Sequence, residues 1–66
     1  MKIQLNGEPR DLPADCTAEQ LVTELGLGGR RLAMEVNREI VPRSQYASFQ
    51  LKEGDQVELV HAIGGG

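Results

Sequence analysis

A single small α+β domain, in which one helix packs against a mixed sheet, is the fold class that the sequence predicts. Three observations indicate it: a short alternating segment that leads into a hairpin turn, one helix with signals at both ends, and several short apolar segments in the second half. The 66 residues leave room for one domain and one core.

Composition argues against several classes of protein. The net charge is −3 with the two signs interspersed, whereas a nucleic-acid module is usually basic. One Cys and one His are too few for a structural zinc site, and a lone Cys fits a reducing cytoplasm. The apolar runs are far shorter than the roughly 20 residues of a membrane span. A domain this small has no room for a large buried cleft. We therefore expect a cytoplasmic protein that is not an enzyme and binds neither nucleic acid nor membrane.

The first elements are predicted from alternation and turn chemistry. Residues 1–6 alternate apolar and polar side chains, which is the period of a half-buried strand. Asn6-Gly7 is a strong hairpin signal because both residues tolerate positive φ. The return strand is expected over residues 9–12. Pro9 and Pro13 deny it two ladder donors, so it should lie at a sheet edge.

Residues 17–26 have the signals of a helix at both ends. Thr17 and Gln20 fit a capping box, and Gly26 can take the left-handed conformation that ends a helix. The apolar residues at helical spacing form one stripe: Ala18, Leu21, Val22 and Leu25.

The second half predicts three more strands. Residues 32–36 alternate, residues 37–39 turn the chain, and residues 40–41 form a short strand stopped by Pro42. Residues 44–49 should make one tight turn. The most apolar segment, residues 57–63, is expected at the sheet centre beside the first strand.

These elements together predict a β-grasp fold, with a sheet of four to five strands on one main helix. The expected domain spans residues 1–63, followed by a flexible Gly-Gly tail over residues 64–66. The expected core consists of Ile3, Leu5, Leu21, Val22, Leu25, Met34, Val36, Val57 and Leu59.

The last three residues, Gly64, Gly65 and Gly66, are the main candidate functional site. Glycines cannot pack and lose most entropy when ordered, so we expect a mobile tether with a reach of about 10 Å. The reactive group would be the α-carboxylate of Gly66. An ionised carboxylate is a poor electrophile, so another protein would have to activate it with ATP. Transfer to sulfur would give a thiocarboxylate, and transfer to a lysine would give an isopeptide-linked modifier. A merely frayed or engineered terminus is the structural alternative.

Several side chains have both a functional and a structural interpretation. Cys16 could carry a persulfide, but packing against Leu21 before the helix is favoured. His61 could be a general base, but peripheral packing on the inward face is favoured. Val60 and Ala62 point to the opposite face, and we hypothesise that they form a docking patch beside the tail; the structural alternative is that they are scattered apolar surface residues.

Two groups of charged residues are weighed in the same way. Glu53 and Asp55 could suggest a metal, but turn chemistry explains them better. The arginines could form a basic rim that steers partner proteins, but a solvated face is favoured for them. These residues are Arg30, Arg31, Arg38 and Arg43.

Motifs along nearly the whole chain resemble the ThiS family of thiamine-biosynthesis sulfur carriers. They are Ile-Gln-Leu-Asn-Gly at 3–7, Thr-Ala-Glu-Gln-Leu-Val at 17–22, Val-Asn-Arg-Glu-Ile-Val-Pro-Arg at 36–43, Glu-Gly-Asp-Gln-Val-Glu-Leu-Val at 53–60 and the glycines at 64–66. The segment at 36–43 is the most specific of them. The last strand and the glycines are shared with the molybdopterin-synthase small subunit and with ubiquitin.

The resemblance implies a carrier with no bound cofactor. A ubiquitin-activating-type adenylating enzyme would use ATP to adenylate Gly66, and a persulfide from a cysteine desulfurase or equivalent donor would convert it to a thiocarboxylate. That group would donate sulfur to thiazole synthase, which forms the thiazole phosphate of thiamine. The alternatives are a carrier for molybdopterin or another pathway, a ubiquitin-like protein modifier, and a β-grasp interaction domain.

Overall fold

Five strands and one α-helix make up the computed structural model, which describes residues 1–61 without the side chain of His61. A short 3₁₀ helix, Arg43–Gln45, precedes the last strand. In chain order the elements are β1 (Lys2–Leu5), β2 (Glu8–Asp11), α1 (Ala18–Glu24), β3 (Leu32–Val36), β4 (Glu39–Val41) and β5 (Gln56–His61).

The strands form one mixed sheet in the order β2-β1-β5-β3-β4. β1 and β5 run parallel, and the other neighbouring pairs are antiparallel. The predicted central position of the last strand and the predicted edge position of β2 are both confirmed. The boundary expected after residue 63 and the tail over residues 64–66 lie outside the described residues.

Two hairpin turns use residues in the left-handed region. Asn6 has φ +51° and Gly7 +86°, which is the pair of positive values that a tight hairpin needs. Asn37 has φ +52° and Arg38 +70°, so β4 already begins at Glu39, one residue earlier than predicted. The second turn places a non-glycine residue, Arg38, where glycine is commonest.

Helix α1 begins as the capping box predicts. The N–H of Gln20 donates to Thr17 Oγ1 at 3.2 Å, and the N–H of Thr17 donates to Gln20 Oε1 at 2.9 Å. Gly26 has φ +73° just after the helix end, as predicted. No helix among residues 1–61 is long and apolar enough to cross a membrane.

The core lies between α1 and the inward face of the sheet. Most of the predicted core residues are buried, although Leu5 and Leu25 are only partly so. Among the residues whose side chains the structure describes, the buried apolar ones are Ile3, Leu12, Cys16, Ala18, Leu21, Val22, Met34, Val36, Val41, Tyr46, Leu51, Val57 and Leu59.

The segment over residues 43–51 is more than the single tight turn that was predicted. Its carbonyls complete the helix N-terminus, because Phe49 C=O accepts from Ala18 N–H at 2.9 Å and Tyr46 C=O accepts from Glu19 N–H at 3.1 Å. Leu51 N–H donates to Cys16 C=O at 2.9 Å. The segment therefore covers one end of the core.

Candidate functional site

The candidate site lies at the end of β5, from which the chain continues to the glycines. β3 borders β5 along its length, from Val57 opposite Val36 to His61 opposite Leu32. β1 borders only the start of β5, and its last partner there is Val57. Ala62, Gly64, Gly65 and Gly66 lie outside the described residues, so their assigned roles stay predictions.

A side-chain amide continues the sheet where β1 stops. Asn6 N–H donates to Val57 C=O at 2.9 Å, which ends the backbone pairing. The Asn6 side chain then makes two bonds to the next residue facing it: Leu59 N–H donates to Oδ1 at 2.9 Å, and Nδ2 donates to Leu59 C=O at 3.3 Å. Asn6 thereby satisfies both backbone groups of Leu59 on the β1 side.

A second asparagine holds the opposite end of β5. Asn37 N–H donates to Gln56 C=O at 2.7 Å, and Gln56 N–H donates to Asn37 Oδ1 at 3.0 Å. Asn37 Nδ2 donates to Asp55 Oδ1 at 3.0 Å. Both ends of the central strand are thus tied to positive-φ asparagines. The sequence indicated the turns at these residues but not the reach of either side chain.

The acidic residues of the turn at 52–55 have structural partners. Asp55 is buried, and its second oxygen accepts from Lys52 N–H at 2.8 Å. Glu53 Oε1 accepts from Lys2 N–H at 2.9 Å, which fixes the start of β1. The turn interpretation of both residues is confirmed.

The sheet face opposite α1 carries two large exposed apolar side chains. Val60 is 62% exposed and Ile40 is 75% exposed. Ala33 is also exposed and lies directly opposite Val60 in the β3–β5 register. The predicted exposure of Val60 is confirmed, and Ile40 joins a surface that the sequence analysis limited to β5.

Two carboxylates lie on the same face between these apolar residues. Glu35 is directly opposite Glu58 on β5 and directly opposite Ile40 on β4. Within residues 1–61 the one ion pair, Arg10–Glu24 at 4.0 Å, involves neither of them. This surface, called the open face below, therefore combines apolar side chains with unpaired negative charge; it comprises Ala33, Glu35, Ile40, Glu58 and Val60.

The thiol of Cys16 is a packing group. Cys16 is 2% exposed and belongs to the core. Burial raises the pKa of the Cys16 thiol, and the negative charge of Glu24 raises it further. A buried thiol with a raised pKa is a poor nucleophile, so the packing interpretation is confirmed. The side chain of His61 is outside the described part, and its interpretation stays a prediction.

The candidate basic rim consists of exposed side chains. One of them also braces a loop, since the Arg43 guanidinium donates to Arg30 C=O at 2.5 Å. Exposure fits both a solvated face and a basic rim that steers partners, so the solvated-face interpretation stays a prediction for all four arginines, which are Arg30, Arg31, Arg38 and Arg43.

Comparison with known proteins agrees with this architecture. A model of the ThiS family matches residues 3–66. The sulfur carrier protein ThiS of Escherichia coli is 33% identical over 66 residues, with full coverage of both chains. A crystal structure of the thiamine biosynthesis protein ThiS from Geobacter metallireducens superposes with a TM-score of 0.85 at 26% identity, again with full coverage of both.

Longer relatives also match. A thiazole synthase of Paramagnetospirillum magneticum is 48% identical over 66 residues, and one of Magnetococcus marinus is 47% identical. The chain spans 20% of the length of each of these two proteins.

The five-strand mixed sheet on one helix defines a small ubiquitin-like β-grasp protein. Within that class the family match is specific. The chain belongs to the ThiS family, and its relatives of that name in Escherichia coli and Bacillus subtilis are sulfur carrier proteins.

Proposed function

We propose that this protein carries sulfur as a thiocarboxylate on Gly66 and delivers it to thiazole synthase. The observation that carries the proposal is the match of the ThiS family over residues 3–66, which includes the three glycines. Full coverage of the Escherichia coli sulfur carrier supports it. The one cysteine thiol among residues 1–61, that of Cys16, is buried and so does not compete for the role.

Activation requires a partner enzyme of the ubiquitin-activating type. A carboxylate oxygen of Gly66 attacks the α-phosphorus of ATP, which forms an acyl-adenylate and releases pyrophosphate. The ATP belongs to the partner, and this chain binds no cofactor of its own. The contribution of this protein is a terminus without side chains that fits a narrow active-site channel.

Sulfur then replaces AMP. The terminal sulfur of a persulfide, formed by a cysteine desulfurase or equivalent donor, attacks the acyl carbon, and AMP leaves. A second thiol attacks the resulting acyl disulfide, forms an ordinary disulfide and leaves the thiocarboxylate on Gly66. The thiocarboxylate sulfur attacks an electrophilic carbon bound to thiazole synthase, and later hydrolysis of the acyl carbon restores the carboxylate.

We propose that the open face docks thiazole synthase. Relatives with that name match this chain at 48% and 47% identity, which supports this partner over others. Glu35 and Glu58 lie opposite each other, and neither has an ion-pair partner within residues 1–61, so the complementary surface should present Lys or Arg among apolar side chains. Val60 and Ala62 would lie closest to the tail, and a positive charge placed at Val60 should weaken the association.

The proposed carrier function is tested by mass and by truncation. Intact protein purified from cells should contain a fraction heavier by the replacement of one oxygen with sulfur, localised to Gly66. Deleting Gly66 should abolish ATP-dependent loading by the adenylating enzyme and leave thermal unfolding unchanged, because a glycine has no side chain to contribute to a core.

The result also separates the alternatives. Isopeptide conjugates on lysines would identify a modifier, and full activity of a fusion that blocks Gly66 would identify an interaction domain. Sulfur transfer to a molybdopterin precursor, but not to thiazole synthase, would identify the other carrier pathway.

A further inference from the structure

The side chain of Asn6 acts on β5 at the point where the strand leaves its parallel neighbour. β1 ends at Leu5 because the hairpin turn starts at Asn6, which has φ +51°. A strand that ended there without help would leave the N–H and C=O of Leu59 unpaired on that side. The Asn6 amide fills both positions, at 2.9 Å and 3.3 Å.

Asparagine is suited to this position for two separate reasons. It tolerates the left-handed conformation that the turn demands. Its primary amide also offers one acceptor and a donor side by side, as a peptide unit does. Asp would keep only the acceptor, and Gly would satisfy the turn but supply neither group. The amide thus replaces the peptide unit that a longer β1 would have contributed.

We propose that Asn6 is a positioning residue for the reactive terminus, an inference that rests on the proposed function. Leu59 lies seven positions before Gly66. By pairing Leu59, Asn6 keeps β5 held by neighbours on both sides for two residues beyond the last β1–β5 partner, Val57. β5 therefore keeps a fixed position and direction as far as Leu59. Without the amide, Leu59 would be held by β3 alone, as His61 already is, and this end of the strand would sample more orientations.

Loss of the Asn6 amide should affect how the adenylating enzyme binds the terminus rather than the adenylation step itself. A tail that starts from a looser strand end must lose more conformational entropy when it enters the adenylating enzyme. Removing the amide should therefore raise KM for this protein, with little change in kcat. We expect kcat/KM to fall about two- to tenfold, because only part of the free energy of the two lost hydrogen bonds acts on the binding of the terminus.

Asn37 provides a matched control. It also has positive φ, at +52°, and it also holds a β5 backbone N–H through its side-chain oxygen. Its partner is Gln56, at the start of the strand and ten positions before Gly66. Asn37→Gly and Asn6→Gly therefore remove the same kind of bond from the two ends of one strand, and glycine is compatible with both turns.

The experiment measures ATP–pyrophosphate exchange by the adenylating enzyme with full-length wild type, Asn6→Gly and Asn37→Gly as substrates. Amide hydrogen exchange is measured on the same proteins. We expect Asn6→Gly to expose Leu59 N–H to exchange and to raise KM. We expect Asn37→Gly to expose Gln56 N–H, to cost at least as much stability, and to leave KM unchanged. If Asn6→Gly does not fold, Asn6→Asp, which keeps the acceptor and loses the donor, takes its place.

Two results would overturn the inference. Unchanged KM for Asn6→Gly would show that the amide has no influence on the tail. Equal increases of KM in Asn6→Gly and Asn37→Gly would show that the effect comes from the stability of the whole domain. Wild type that supports no exchange at all would overturn the proposed function, and this inference with it. A reactive wild type with an unaffected Asn6→Gly would overturn this inference alone.

Discussion

Cys16 precedes the N-terminus of α1, a position that can activate a thiol by lowering its pKa. Its environment instead raises the pKa of the thiol. The helix dipole favours a thiolate only where the thiol reaches solvent or the free N–H groups. Here the first N–H groups of the helix are already used by Phe49 C=O, Tyr46 C=O and Thr17 Oγ1. Burial therefore dominates, and the pKa of the Cys16 thiol lies above its ordinary value of 9.0.

This gives a prediction for alkaline pH. The unfolded thiol ionises at lower pH than the folded one, so its contribution to stability is present below pH 9.0 and is lost as the pH rises further. We expect the unfolding free energy of wild type to fall more steeply above that pH than that of Cys16→Ala. Urea unfolding on both sides of the pKa measures both slopes.

Tyr46 serves as the internal reference for this comparison. Burial raises the pKa of Tyr46 as well, and that contribution is present in both proteins. Equal alkaline slopes for wild type and Cys16→Ala would show that Cys16 titrates in the folded state as it does in the unfolded chain, against the prediction. Iodoacetamide should likewise label native Cys16 only as fast as the chain unfolds.

At the scale of the strand, β5 pairs a carboxylate with a carboxylate. Glu58 lies directly opposite Glu35 on β3, and like charges in that position destabilise a sheet. We expect Glu58→Gln to raise the free energy of unfolding by roughly 0.2–1 kcal/mol at low salt, and less at high salt. The same variant should bind thiazole synthase more weakly, because it loses charge on the open face.

The control is Glu8→Gln on the edge strand β2, where Glu8 lies opposite Leu5. That variant removes the same charge without relieving a cross-strand repulsion, so its stability should change less. A Glu58→Gln protein that is no more stable than Glu8→Gln at low salt would contradict the assignment of repulsion to this pair.

The elements that the sequence predicts well are those whose signals are local. The capping box of Thr17 and Gln20 and the turn at Asn6-Gly7 involve neighbours in the chain, so composition and spacing indicate them directly. The segment over residues 43–51 has no such signal. Its structure depends on bonds to the helix, such as Tyr46 C=O to Glu19 N–H, and those partners follow only from the complete fold.

At the scale of the molecule, the two sheet faces differ because the chain has one α-helix to cover them among residues 1–61. Alternation along β5 therefore predicted that Val60 would be exposed. Ile40 and Glu35 joined the same surface only through the register of β4 on β3, which the sequence does not reveal. The bonds from Asn6 to Leu59 likewise depend on the parallel β1–β5 pairing across 53 positions of sequence.

The open face can be tested without disturbing the core. Val60 is 62% exposed, so Val60→Lys should change the unfolding free energy by no more than about 0.5 kcal/mol. In a complex, the lysine would remove an apolar contact and face the basic surface expected of thiazole synthase. We expect the Kd for thiazole synthase, measured by titration calorimetry, to rise at least about tenfold.

Thr23→Lys is the matched control, because Thr23 is exposed on α1, which packs on the other face of the sheet. It adds the same charge to the molecule and should bind thiazole synthase as wild type does. Equally weakened binding of thiazole synthase by both variants would show that net charge causes the effect. Normal binding by Val60→Lys would show that Val60 is not part of the interface. If Val60→Lys weakens binding of the adenylating enzyme but not of thiazole synthase, the open face would be assigned to the adenylating enzyme. Thiazole synthase would then bind a separate surface.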